Sequence, residues 1–99
     1  MNLTSIHTDG IAAVVAERLL RRASGQLCPG SEDQQRNNEL VWAAMYYACP
    51  VFLDMFPWPK KFDDRSKLDR IQQLTRAGAL IAAEIDRLSK QANAREAAA

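Results

Sequence analysis

From Asp69 onward, apolar residues recur at alternating spacings of three and four: Ile71, Leu74, Gly78, Ile81, Ile85, Leu88 and Ala92. That is the period of a helix packed along its length. It predicts a long helix that starts near Arg65, is capped by Asp63 or Asp64, and frays in the alanine-rich tail over 90–99. A glycine inside a helix costs about 1 kcal/mol relative to alanine. Gly78, flanked by Ala77 and Ala79, therefore marks a close approach of another backbone or a ligand. Gly78, Ile81 and Ile85 are the expected helix or oligomer contact, and the spacing leaves open whether that contact lies within one chain or between chains.

Two shorter helices precede it. Thr8 or Asp9 can cap a helix from about Gly10 to Ser24, with Gly25 as its stop. Ala12, Val15, Ala16, Leu19 and Ala23 form its expected core stripe, widened by Ile11, Val14 and Leu20. Glu17, Arg18, Arg21 and Arg22 are left as a solvated side, with Glu17 and Arg21 spaced for an i,i+4 pair. After a Pro29-Gly30 turn, Ser31-Glu-Asp-Gln34 has the form of a capping box, so the second helix begins there or at Asn37 or Asn38, and runs to Cys49 before Pro50. Its expected stripe is Leu40, Val41, Ala44, Met45 and Ala48, with Trp42, Tyr46 and Tyr47 to the sides. Residues 50–64 are too proline-rich for a regular helix, although Val51 to Phe56 can form one turn, and they are apolar enough to fold over the helices. No strand-period segment of useful length is present. The expectation is one all-α domain over 1–99: an N-terminal arm (1–8), three main helices with a long antiparallel pair, and self-association to support so small a core.

Composition narrows the class. Thirteen basic residues against twelve acidic ones give a net charge of +1, which supplies no global field for nucleic acid or an anionic membrane. No apolar run approaches the roughly 20 residues of a membrane span, and the first residues lack the pattern of a signal peptide, so a cytoplasmic protein is expected. Cys28 and Cys49 form no C-x-x-C pair, and His7 is the one histidine. Reduced, inert thiols are expected, with neither a metal site nor a cofactor.

Candidate chemistry is sparse. In Phe56-Pro-Trp-Pro-Lys-Lys-Phe62, a proline-flanked Trp58 offers a flat face, and Lys60 and Lys61 offer charges suited to phosphate or carboxylate. Stacking combined with phosphate contact is nucleotide chemistry; the plainer reading is a loop that covers the bundle. Glu17, Asp33, Glu39, Glu84 and Asp86 lie on elements that a bundle can bring together. MazG-type pyrophosphohydrolases hold magnesium with helix-borne acids in this general way, but the dense i,i+3 acid pairs of such enzymes are missing. Glu84 with Arg87 and Asp86 with Lys90 read instead as surface ion pairs. His7 and the serines sit in no catalytic elbow.

Glu17-Arg18, Glu32-Asp33, Glu39-Leu40 with Ala43-Ala44 and Tyr47-Ala48, Trp58-Pro59, and above all Arg76-Ala-Gly-Ala-Leu-Ile-Ala-Ala-Glu-Ile-Asp-Arg-Leu88 resemble a group of small phage and prophage proteins with no assigned activity. The resemblance implies a setting: small phage accessory proteins commonly act by stoichiometric binding. The expectation is a homo-oligomeric, non-enzymatic, counter-defence protein of the host cytoplasm that blocks a host immune protein or sequesters a nucleotide signal. Trp58, Lys60 and Lys61 would contact the partner, with Arg76, Glu84 and Arg87 shaping the site. A MazG-like hydrolase and a structural or assembly subunit are the alternatives.

Overall fold

The computed structural model describes residues 9–24, 27–49 and 56–98. They form three α-helices, α1 (Asp9–Ser24), α2 (Glu39–Ala48) and α3 (Arg70–Ala98). Single 3₁₀ turns lie at Glu32–Gln34, Lys60–Phe62 and Arg65–Lys67. There is no strand among the described residues. The expected arm at 1–8, with Thr8 and His7, the stop at Gly25, and the turn from Val51 lie outside the described residues.

The helix starts are decided by which polar side chains are available. The Ser31–Gln34 pair closes a 3₁₀ turn, the Ser31 backbone N–H donating to Gln34 Oε1 at 3.0 Å, and α2 begins later. Asn38 adopts φ 64° ahead of it, a left-handed conformation that asparagine tolerates. Asp63 and Asp64 do not cap α3 as expected, because other groups hold them. Asp63 accepts the Tyr46 hydroxyl, and Asp64 accepts the Tyr47 hydroxyl at 2.6 Å and both Arg76 Nη groups at 3.0 and 3.1 Å. The cap falls to Asp69. Its Oδ1 accepts the Gln72 N–H at 2.8 Å, and its own N–H donates to Gln72 Oε1 at 2.9 Å, a reciprocal capping box. At the other end α3 continues through Ala98 without a break at Lys90, since alanine is the strongest helix former.

Helix α3 lies between the other two. The α2–α3 and α1–α3 packings dominate the fold. At one end of α2, Arg70 Nη2 donates to the Ala48 carbonyl at 2.7 Å; at the other, the Glu39 carboxylate lies close enough to Arg87 to act on its charge. The two helices therefore run antiparallel. Along α1, Val14 rests on Gly78, Arg18 binds Asp86, and Arg22 shares a cleft with Lys90. Helix α1 thus runs in the same direction as α3, giving an up-down-up order. The 29 residues of α3 span about 43 Å at 1.5 Å per residue.

The core is made by α2, by one side of α3 and by the connections. Leu40 and Leu80 are its largest fully buried side chains, surrounded by Ala43, Ala44, Ala77, Ala79 and Ala83, with Leu27 and Cys28 from the first connection. Tyr46 and Tyr47 are also buried, contrary to the expectation that they flank α2, whereas Met45 is exposed. Tyrosine can be buried here because each hydroxyl reaches an aspartate of the loop, so no donor is stranded. The loop does fold over the bundle: Phe56 meets Tyr46 at a tilt with ring centroids 5.0 Å apart, and Trp58 meets Phe56 edge-on at 5.7 Å.

Helix α1 is turned over relative to its sequence pattern. Arg18, expected on the solvated side, is buried, while Ala12, Val15, Ala16, Leu19 and Ala23 of the expected core stripe are exposed, as is Leu20. The side that packs on α3 carries Val14, Glu17 and Arg18. What orients the helix is a set of charge-assisted bonds. Arg18 donates to both Glu32 carboxylate oxygens at 2.6 and 2.7 Å and to Asp86 at 3.0 Å, and Arg76 Nε donates to Glu17 at 3.1 Å. The bidentate geometry with Glu32 is the strong form of such a pair.

Candidate interaction surface

Residues on one helix separated by three or four share a face, and α3 has two such faces of opposite character. Toward α2 and the connections it presents Arg76, Ala77, Ala79, Leu80, Ala83 and Glu84, all buried. Away from them it presents the heptad residues Ile71, Leu74, Ile81, Ile85 and Leu88, which are 46–75% exposed. The expected packing stripe is therefore not the core of this chain. Of the three expected contact residues, Gly78 lies against another helix, where a Cβ built on it would be 2.7 Å from Val14 Cγ2. The close approach is real, it occurs within the chain, and it seats α1 on α3 in the middle of the exposed stripe. Ile81 and Ile85 are exposed on either side of it in the heptad sequence.

The polar groups on the closed side form two networks. In the first, Arg76, 4% exposed, joins Glu17 of α1 to Asp64 of the loop, and Asp64 also accepts from Tyr47. Burial alone would raise the Glu17 carboxyl, but the hydrogen bond and charge of Arg21, with Arg76 behind it, hold it below the usual carboxylate range. Burial likewise opposes the charge on Asp64, and the bonds from Tyr47 and Arg76 outweigh it, so its pKa is lowered too. The Tyr47 hydroxyl is pushed up, first by burial and then by its bond to that carboxylate. The second network joins Arg18 to Glu32 and Asp86; among the described residues Arg18 Nε is a buried donor with no acceptor.

Several expected pairs and roles are rearranged. Glu84 and Arg87 do pair, at 2.6 Å, but the side chains are 8% and 9% exposed, so this is a buried pair and not a surface one. Asp86 pairs with Arg18, and Lys90 reaches Asp33 at 2.8 Å. Trp58 is packed against the core with its indole N–H donated to Gln35 Oε1 at 2.8 Å. Gln35 is itself buried and donates to the Pro29 and Ser31 carbonyls, so the tryptophan pins the first connection to the loop. Lys60 and Lys61 are exposed, with Lys61 Nζ 5.3 Å from the Phe62 ring centre. The structure thus brings Glu84 and Arg87 together and joins Arg76 to a different pair of acids, Glu17 and Asp64.

Of the five acids considered for a magnesium ion, four are paired with cations, Glu17 with Arg21 and Arg76, Asp33 with Lys90, Glu84 with Arg87 and Asp86 with Arg18, and Glu39 accepts the Asn37 backbone N–H. Among the described residues no three His, Cys, Asp or Glu side chains come together as a metal site. A cleft of about 260 Å³ lies between the end of α1 and the first connection, lined by Arg21, Arg22, Cys28, Glu32 and Lys90 among others. Its acids are already paired. Burial, aided by the charge of Glu32, pushes the Cys28 thiol up to about 11, which removes it as a nucleophile at neutral pH.

What the geometry offers, then, is contact surface. The heptad face of α3 and the outward face of α1 at Val15, Leu19 and Leu20 place aliphatic side chains in solvent. Their inward faces hold the ions that sequence reasoning put outside. Asp64, Tyr47 and Glu32 were not singled out as ion partners. The signal was faint: buried arginines need carboxylates, and Asp63-Asp64 and Glu32-Asp33 are the acid pairs nearest to hand in the two connections. No helix among the described residues is long and apolar enough to cross a membrane. Comparison with protein-family models, with curated proteins and with solved structures finds no match to this chain.

Proposed function

We propose that this chain is a small phage accessory protein that acts by stoichiometric binding in the host cytoplasm, as a counter-defence agent that occludes a host immune protein. One observation carries the reading. Helix α1 is held by its charged side and shows its aliphatic side, Val15, Leu19 and Leu20, to solvent. Burying such side chains against a partner is favourable by about 25 cal/mol per Å², and contiguous apolar faces of this kind mark protein contacts more often than catalytic sites.

Two other readings are weaker on the same chemistry. Sequestration of a nucleotide through Trp58, Lys60 and Lys61 would need an available ring face; the indole is packed against the core and its N–H is already donated, although both lysines remain exposed. Pyrophosphate hydrolysis would need several acids with charge to give to a metal, and four of the five here are paired with arginine or lysine. An assembly subunit would use the same apolar faces and is separated from the proposal by biological readout.

The test is expression of the chain in bacteria that carry phage-defence systems, with phage plating efficiency as the readout. Wild type is expected to restore plating against at least one system, and Leu19→Glu with Leu20→Glu to remove that effect with helicity unchanged. A double variant that rescues as well as wild type would sink the α1 surface. Magnesium-dependent release of pyrophosphate by the purified chain would replace the proposal with the hydrolase.

A further inference from the structure

We infer that the exposed heptad face of α3 is closed by α3 of a second copy of the same chain, running antiparallel, in a two-fold dimer. This goes beyond the proposed function, because it concerns a different helix face and does not depend on what α1 binds.

The argument begins with spacing. Ile71, Leu74, Gly78, Ile81, Ile85 and Leu88 follow the intervals three, four, three, four, three. A helix that carries this repeat packs most closely against another helix with the same repeat. Within the chain, α2 packs on the side of Leu80 and Ala83, and α1 meets the stripe at Gly78 through Val14, so that Ile71, Leu74, Ile81, Ile85 and Leu88 stay exposed. Among the described residues, the helix with the matching period is α3 itself.

Register follows from side-chain size. With the two-fold axis at the level of the Ala79–Leu80 step, Ile71 of one copy meets Leu88 of the other, Leu74 meets Ile85, and Gly78 meets Ile81. Large therefore faces small at the centre, and large faces large on either side. In a parallel two-fold pair the glycines would face each other, so the central layer would carry no side chain from either α3, only the Val14 that covers each Gly78 in its own chain, and would make fewer dispersion contacts than a layer in which Ile81 faces Gly78. The antiparallel arrangement sets Ile81 over the junction where Val14 already covers Gly78. No stripe position from Ile71 to Leu88 is charged, so no like charges are forced together.

Area decides the kind of dimer. Five aliphatic side chains, each about half exposed or more, leave on the order of 500 Å² of apolar surface per copy, the size of the largest patch on a typical monomer, which is often a functional surface. Two copies then bury about 1,000 Å² from these side chains alone, the lower bound for a specific protein interface. The result is a reversible dimer that responds to concentration, not an obligate one.

Sedimentation velocity of the full chain over a wide dilution series, with cysteine cross-linking, tests both the dimer and its register. Wild type is expected to move from twice the 11.1 kDa chain mass toward the single-chain mass on dilution. Ile85→Asp is expected to be monomeric throughout with its helicity retained, since Ile85 is 57% exposed within the chain. Leu74→Cys mixed with Ile85→Cys should give a disulfide joining positions 74 and 85, and neither variant should form one between copies of its own position. A chain monomeric at every concentration, or a dimer untouched by Ile85→Asp, overturns the interface. Self-cross-linking of Leu74→Cys overturns the antiparallel register. The plating assay stands apart: a monomer that still restores plating refutes the dimer alone, and a dimer that restores nothing refutes the counter-defence role alone.

Discussion

The two faces of α3 differ in the sense opposite to ordinary expectation. The face that builds the core has three alanines, one leucine and two ions, Arg76 and Glu84; the face left in solvent carries three isoleucines and two leucines. Small residues let α2 and the connections approach closely, and buried ions survive there because each has a hydrogen-bonded partner. Large aliphatic side chains contribute most where they interdigitate with others of their kind, and among the described residues the stripe of α3 stays exposed. The hydrophobic strength of a stripe therefore does not say which element packs on it.

The sharpest way to break this comparison is the same kind of truncation on each face. Leu80→Ala, at a fully buried site, is expected to lose about 2–5 kcal/mol of stability. Ile85→Ala should change the stability of the dilute chain by less than about 0.5 kcal/mol and lower the melting temperature only at concentrations where copies associate. Urea melts of both variants at low and high protein concentration decide it, and equal losses in dilute solution would show that the open face is part of the core after all.

Gly78 joins the two faces, and its role can be isolated with Val14. Gly78→Ala adds a Cβ 2.7 Å from Val14 Cγ2, and valine is stiff about χ1, so the variant is expected to lose about 1 kcal/mol or more to overpacking. In a Val14→Ala background the clash is gone and the same change should gain up to about 1 kcal/mol of helix propensity. A reversal of sign between the two backgrounds, read from thermal melts, would confirm that α1 is seated on α3 within the chain.

Acid should loosen the closed side selectively. Glu17 and Asp64 are both held below their ordinary values of 4.5 and 3.8, so the folded state binds their protons less readily than the unfolded chain does. The stability they contribute is present above those values and is lost as pH falls through and below them. Melting temperature is expected to drop progressively below pH 4.5, and Glu17→Gln with Asp64→Asn should flatten the part of that slope due to these two groups while lowering stability at neutral pH. A smaller effect concerns the thiols. Cys28, buried and pushed up to about 11, should alkylate more slowly than the half-buried Cys49, the difference vanishing in denaturant; mass spectrometry of iodoacetamide-treated protein reads it directly.

Much of the fold was legible in one dimension. Periodicity located α1 almost to the residue, Asn38 and the proline after Cys49 bounded α2, and the repeat from Ile71 identified α3 as the longest helix. These are local properties, set by backbone hydrogen bonding and by the spacing of side chains on a helix. The loss of φ freedom at the four prolines, and the close approach announced by Gly78, were equally local. The exposed lysines at 60 and 61 could be placed on a loop for the same reason.

Orientation was not local, and the tertiary structure decided it. Helix α1 has an aliphatic side and a charged side, and burial of the aliphatic side was the natural expectation. Which side turns inward depended instead on carboxylates far along the chain, Glu32, Asp64 and Asp86, that meet Arg18 and Arg76 only once the connections have folded. The same long-range pairing took Asp63 and Asp64 away from helix capping and drew Tyr46 and Tyr47 inside. Sequence by itself determined which segments are helical and which stripes are apolar, because those follow from a residue and its near neighbours. Only the tertiary structure determined which stripe faces the core, because a buried ion is stable where its partner is, and the partners come from other elements.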